Sequence, residues 1–236
     1  MSVPIRLDKC VAALVSCSRS EARQYIEGGW VSVDGAVVEE PQALVTSDQV
    51  ALAADASLGA IEPVTLLLHK PEGLDIDQAM ASVTPATRSA LDMTGIRPLK
   101  RHLLRLNPLM PLEDAASGLL VLSQDGRVIR RLGEDANTIE QEFVVEVRGE
   151  LQPYGLARLA HGLTYRQRTL SPCKVSWQNE DRLRFAIKGV QPGQLQAMCG
   201  QVGLEVLSLR RLRIGSVSLG KMDPGQWRYL PAGARF

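Results

Sequence analysis

Two short apolar runs constrain this chain more than any other feature. "VTLLLHKPEG", Val64–Gly73, enters as a largely apolar stretch around Leu66–Leu68 and is stopped by Pro71 and Gly73. A second run, Leu119–Leu122, follows the turn-like stretch "LMPLEDAASG". Runs this short, bounded by turn residues, read as buried strands. "EFVVEVRG", Glu142–Gly149, alternates and reads as a third strand, and "CKVSWQ" and "RLRFAIKG" read as further ones. "EVLSLRRLRIGSVSL" reads as one or two more. Helical patterns lie between them, in "YGLARLAHGL" and in "GQLQAMCGQVGL", Gly193–Leu204. "DIDQAMASVTPATRSALDMTG" has no clean period and reads as loop with a short helix. Strands outnumber helices, which predicts an α+β architecture around a central mixed, mainly antiparallel sheet.

The N-terminal stretch has a different grammar. "CVAALV", Cys10–Val15, is apolar with helical character. Ser18, with Glu21 three residues later, is a capping-box pattern that should open a helix over Arg19–Glu27. Ala22, Tyr25 and Ile26 give that helix its apolar stripe. Gly28-Gly29 should end it, because glycine accepts the left-handed conformation that follows helix ends. "WVSV" and "AVV" flank Asp34-Gly35, a strong hairpin signal. "ADASLGAIEP", Ala54–Pro63, reads as a linker. The expected organisation is a small α/β module over 1–53, a linker over 54–63 and a larger domain over 64–236.

A chain of 236 residues is long enough for one or two domains and a real core. With aromatic residues at only 4%, that core must be built from Leu, Val, Ile and Ala. Net charge is +1, which announces no nucleic-acid partner by itself. The distribution is uneven. Residues 1–60 carry four basic residues (Arg6, Lys9, Arg19, Arg23) against eight acidic ones, and residues 61–236 carry 23 against 18. Such asymmetry fits two units with different surfaces. Phosphate would have to be bound by local patches. Arg19 and Arg23 lie one helical turn apart and share a face. Together with Arg6 and Lys9 they could grip phosphate or simply form a solvated helix face. An acidic N-terminal unit also leaves a protein-interaction role open.

Cys10, Cys17, Cys173 and Cys199 show no metal-like spacing, and His69, His102 and His161 form no constellation. No metal site is expected. Neither a signal peptide nor a membrane span is apparent, so a cytoplasmic protein with reduced thiols is expected. Arg210, Arg211 and Arg213 of "LRRLRIG" could be basic contacts, or alternating arginines that protect a sheet edge. Glu113 and Asp114 stand side by side just before the second apolar run. Either could be a catalytic carboxylate, and both could be solvated loop residues.

"IRLDKCVAALVSCSRSEARQYIEGGWVSVDG" resembles the small RNA-binding module named for a small-subunit ribosomal protein, the S-four domain. The Arg-Leu-Asp-Lys opening, the Ser-Arg-Ser-Glu-Ala helix start and the hairpin carry that resemblance, and Ser18 joins the four basic residues as its expected RNA contacts. The rest of the chain resembles the RsuA/RluF branch of RNA pseudouridine synthases. "HKPEG" fits that family's first catalytic-domain strand. "PLEDAASGLLVLSQDG" aligns without gaps to its catalytic segment, and "SLRRLRIGSVSLGKMDPGQWRYL" to its C-terminal strands. The resemblance implies an enzyme that isomerises uridine in structured RNA, ribosomal RNA being the expected class. It uses no cofactor. A monomer is expected.

Family members use one essential aspartate, an arginine paired with it, and a tyrosine packed on the flipped base. Here the alignment puts Glu113 on the aspartate, with Asp114 one residue late as the alternative acid. Pro111 falls on the arginine. Phe143 replaces the tyrosine and Gln141 a nearby lysine. Lys70 is a further candidate for substrate contact. Gly193, Gln196 and Ala197 stand where the family's basic helix start has arginines. The departures gather on the chemistry and leave the scaffold intact. The alternative is therefore a catalytically silent RNA-binding protein on the same scaffold, serving RNA folding or ribosome assembly.

Overall fold

In a computed structural model, residues 4–46 and 49–236 are described. Residues 1–3 and 47–48 of the expected N-terminal module lie outside them. The chain forms two compact units. One holds the described residues up to Pro63 together with Arg97–Leu104, and the other holds Val64–Ile96 and Arg105–Phe236.

The first unit begins with a short strand, β1 (Ile5–Arg6), and helix α1 (Leu7–Leu14). Helix α2 spans Arg19–Glu27, as the capping pattern predicts. Ser18 Oγ accepts from the Glu21 N–H at 3.2 Å, and Glu21 accepts from the Ser18 N–H at 2.8 Å. Gly28 keeps helical dihedrals, and Gly29, at φ +70°, takes the left-handed turn. Strands β2 (Val31–Val33) and β3 (Ala36–Val37) pair around Asp34 and Gly35, both with positive φ. That is the backbone a tight hairpin requires. Two strands complete this unit, β4 (Leu44–Val45) on β1 and β5 (Val50–Leu52) on β2. Leu7, Val11, Ala22, Ile26 and Val31 form its buried core. The segment Arg97–Leu104 belongs to this unit through specific contacts. The Arg97 guanidinium stacks 4.0 Å from the Trp30 ring centroid, and its Nη1 donates to Gly29 O at 3.0 Å.

The second unit is built on a nine-stranded sheet among the described residues. Its strands are β6 (Thr65–Lys70), β7 (Asn107–Leu109), β8 (Ala116–Ser123), β9 (Glu140–Gly149), β12 (Lys174–Trp177), β13 (Arg182–Lys188), β14 (Leu204–Ile214), β15 (Val217–Ser218) and β16 (Trp227–Tyr229). The small pair β10 (Thr164–Tyr165) and β11 (Arg168–Thr169) stands apart. The main order is β12-β13-β9-β14-β8-β6-β16, with β7 on β8 and β15 on β14. Every pairing is antiparallel except β14 with β8. The sheet is therefore mixed and mainly antiparallel. Both apolar runs are buried along their length. The helices are α3 (Ile76–Ala81), α4 (Gly126–Glu134), α5 (Gly155–Ala160) and α6 (Gln194–Gly200).

Besides Arg97–Leu104, which the sequence reading placed in the 64–236 domain, two elements differ from that reading. Helix α4 was not expected, yet its cues exist. Asp125 caps it by accepting from the Arg127 N–H at 2.8 Å, and Val128, Ile129 and Leu132 give it an apolar side. Gly126, Gly133 and three arginines mask that pattern. The edge-protection reading of "LRRLRIG" also fails, because β14 lies between β9 and β8. Arg211 is consequently buried, at 2% exposure.

Candidate active site

The parallel contact between β8 and β14 needs Gly118. Its φ is +108°, and a Cβ there would meet the backbone oxygen of Arg211 at 2.3 Å. This close approach brings the loop before β8 against β14 and α6. A cavity of about 190 Å³ opens between them, within the second unit. Glu113, Gln141, Phe143, Gln196 and Arg211 all line it.

The loop that carries Glu113 is pinned from below. The Lys70 ammonium donates to three carbonyl oxygens, Pro71 at 3.1 Å, Asp114 at 3.0 Å and Ala116 at 2.8 Å. The Gly73 N–H adds a second donor to Asp114 O, at 2.8 Å. Lys70 is buried, and burial holds its ammonium below its ordinary value. A side chain with all its donors spent on backbone is a fastening for the loop. It does not line the cavity, so the expected substrate contact at Lys70 is replaced by a structural one. The reason is tertiary: the loop folds back over the end of β6.

Glu113 points into the cavity and engages the start of α6. Its Oε1 accepts from the Gly193 N–H at 2.7 Å and its Oε2 from Gln196 Nε2 at 3.3 Å. Gly193 holds φ +76°, and a Cβ there would approach the Tyr165 hydroxyl at 2.8 Å. Among the described residues no arginine lies within ion-pair distance of Glu113. Asp114 is exposed and lies outside the lining, and its backbone oxygen accepts from Lys70 and Gly73. Phe143 lies in the cavity wall at 2% exposure.

Arg211 is the cation that sequence reasoning missed at this site. Its Nε donates to Leu119 O at 2.8 Å, its Nη1 to Gln141 Oε1 at 3.0 Å and its Nη2 to Met110 O at 2.7 Å. All three acceptors are neutral. Burial without an opposite charge pushes the guanidinium down from its ordinary value, to about 9. The cavity thus combines a carboxylate, a cation, two amides and an aromatic ring. That set can hold a planar polar ring by stacking and hydrogen bonds while offering one nucleophile. Among the described residues no group of three His, Cys, Asp or Glu side chains could hold a metal.

In the first unit, three of the expected RNA contacts converge on one acid. Asp8 is buried and pairs with Arg6 at 2.9 Å, Arg19 at 3.2 Å and Arg23 at 3.4 Å. The Arg6 guanidinium, with help from Arg19, holds the Asp8 carboxyl well below the usual carboxylate range. The arginines stay about half exposed. One carboxylate beneath three guanidinium groups leaves an excess of positive charge facing solvent, aimed by a buried anchor. Lys9 is exposed beside them. Ser18 spends its oxygen on the capping box, which makes it first a helix cap.

The chain is similar to known proteins over nearly its whole length. Residues 5–50 match the S4 domain family. The dual-specificity RNA pseudouridine synthase RluF of Salmonella typhi is 26% identical over 231 residues, covering 95% of this chain and 75% of that one. Ribosomal large subunit pseudouridine synthase B of Bacillus subtilis is 28% identical over 232 residues, covering 95% of this chain and 91% of that one. A crystal structure of a pseudouridylate synthase superposes with a TM-score of 0.59 at 20% identity, covering 96% of each chain, and establishes the shared fold. No helix among the described residues is long and apolar enough to cross a membrane.

Proposed function

We propose that this chain, which carries an S4 domain and is similar over nearly its whole length to RluF/RsuA-type pseudouridine synthases, binds structured RNA and receives a flipped uridine in the Glu113 cavity. Ribosomal RNA is the substrate class, and the protein acts as a cytoplasmic monomer with no cofactor or metal. The observation that carries this reading is the shared cavity itself. Glu113, Gln141 and Phe143 are far apart in sequence and line one space, and the acid stands on a loop fastened by Lys70.

Glu113 is the reacting carboxylate and Phe143 the face against the base. The isomerisation exchanges the N1–C1′ bond for a C5–C1′ bond. C5 loses its proton and N1 gains one, so no co-reactant is consumed. Turnover is slow compared with an aspartate–arginine–tyrosine site. Glutamate is one methylene longer, and displacing a reacting group by about 1 Å costs on the order of a hundredfold. A second reading, a silent RNA binder, is favoured by one observation. Both Glu113 oxygens are occupied by hydrogen bonds to the start of α6. The test is pseudouridine mapping of ribosomal RNA with wild type, with Glu113→Ala and without the protein. Modification lost in Glu113→Ala supports the enzyme. RNA binding with no modified site in any sample selects the silent reading.

RNA binding has its own test. Arg19→Ala with Arg23→Ala should weaken binding of a structured ribosomal RNA fragment. The plot of log affinity against log salt should flatten by up to about 2 units of slope, because each lost phosphate contact removes roughly 0.9. Unchanged affinity and slope would move the RNA contact off this face.

A further inference from the structure

Among the described residues one buried side-chain polar atom has no hydrogen-bond partner, and it belongs to a residue that lines the Glu113 cavity: Gln196 Oε1. Buried acceptors are almost always satisfied, so an orphan needs a reason. An amide can normally turn over and offer its NH2 instead. Gln196 cannot do so freely, because its Nε2 already donates to Glu113 Oε2 at 3.3 Å. An ionised carboxylate only accepts. Turning the amide would set two oxygens against each other, so Oε1 stays the unpaired end of the amide, buried in the cavity wall.

Gln141 is the mirror case. Its Oε1 accepts from Arg211 Nη1 at 3.0 Å, and a guanidinium only donates. Gln141 is thereby held with its NH2 as the remaining group. The cavity contains two amides of opposite polarity, each fixed by a charged neighbour, beside the Phe143 ring.

We infer that Gln196 is a specificity-determining residue that accepts the N3–H of a uracil ring, so that the cavity takes an imide base and rejects cytosine. This rests on the base-binding reading above and names how that site chooses its base. Uracil presents a donor at N3 flanked by two carbonyl acceptors. Gln196 Oε1 meets the donor and the Gln141 NH2 meets a carbonyl. Cytosine presents a lone pair at N3, which would face the fixed oxygen of Gln196. Sites built to hydrogen-bond a ligand discriminate strongly against analogues that leave a buried group unpaired.

The experiment titrates the full chain with uridine 5′-monophosphate, cytidine 5′-monophosphate and N3-methyluridine 5′-monophosphate, followed by NMR shifts of the cavity residues. Wild type should bind the uridine nucleotide at least ~10-fold more tightly than the other two. Gln196→Met, which keeps the length and removes both polar atoms, should lower uridine affinity to the cytidine level and leave cytidine unchanged. The N3-methyl comparison uses wild type alone and stands even if the variant fails to fold. Equal binding of all three nucleotides in the cavity overturns the role of Gln196 and leaves the base-binding reading intact. Absence of cavity shifts with every nucleotide overturns both.

Discussion

Pro111→Arg, Glu113→Asp and Phe143→Tyr made together should raise pseudouridine formation on ribosomal RNA at least ~100-fold above wild type. The structure gives each change a reason. Glu113 reaches across to the Gly193 N–H and Gln196 Nε2, which its extra methylene permits. Aspartate draws the carboxylate back toward its own loop and releases it from capping duty. Position 111 already lines the cavity, so an arginine there stands next to the acid. A guanidinium beside a carboxylate keeps it ionised and aimed. A tyrosine at 143 keeps the ring and adds a hydroxyl at the cavity wall. Acid, partner and ring act as a unit, so the single changes should give far less than the triple. Single-turnover assays of wild type, each single variant, the triple and Glu113→Ala measure this. A triple variant no faster than wild type would show that the loop before β8 is not where the chemistry happens.

Gly118→Ala should be the most destabilising small substitution in the second unit, costing about 4 kcal/mol or abolishing folding. Two penalties combine. The backbone sits at φ +108°, a region that L residues occupy only under strain. The new Cβ would also meet backbone atoms of Arg211 at 2.3 and 2.6 Å, which cannot move without parting β8 from β14. Gly126→Ala is the control. Gly126 starts α4 in open space, with nothing within 4 Å of the place an added methyl would take. Alanine there should be neutral or stabilising by up to ~1 kcal/mol. Urea unfolding of the two variants measures both effects. Equal stability of Gly118→Ala and wild type would mean that β8 and β14 do not approach as described.

The sequence by itself determined the local pieces. Ser18, Glu21 and Gly29 set the ends of α2 because capping acts within one turn of backbone. Asp34-Gly35 set the hairpin through their own dihedrals. The apolar runs of β6 and β8 announced buried strands because a fully covered strand needs no polar face. The resemblance to the synthase family implied Glu113, with Asp114 as the alternative, as the position of the acid. Tertiary structure decided what those side chains touch. Arg211 looked like one arginine among several until β14 took the centre of the sheet and removed water from it. Lys70 looked like a substrate contact until the loop before β8 folded over it. Asp8 was only one residue of the Arg-Leu-Asp-Lys opening until α1 and α2 packed and set three arginines upon it. The fixed polarity of Gln141 and Gln196 depends on partners 70 and 83 residues away. A local pattern can state a residue's backbone preference. Its charge environment and hydrogen-bond partners come from segments distant in sequence, and only packing brings those together.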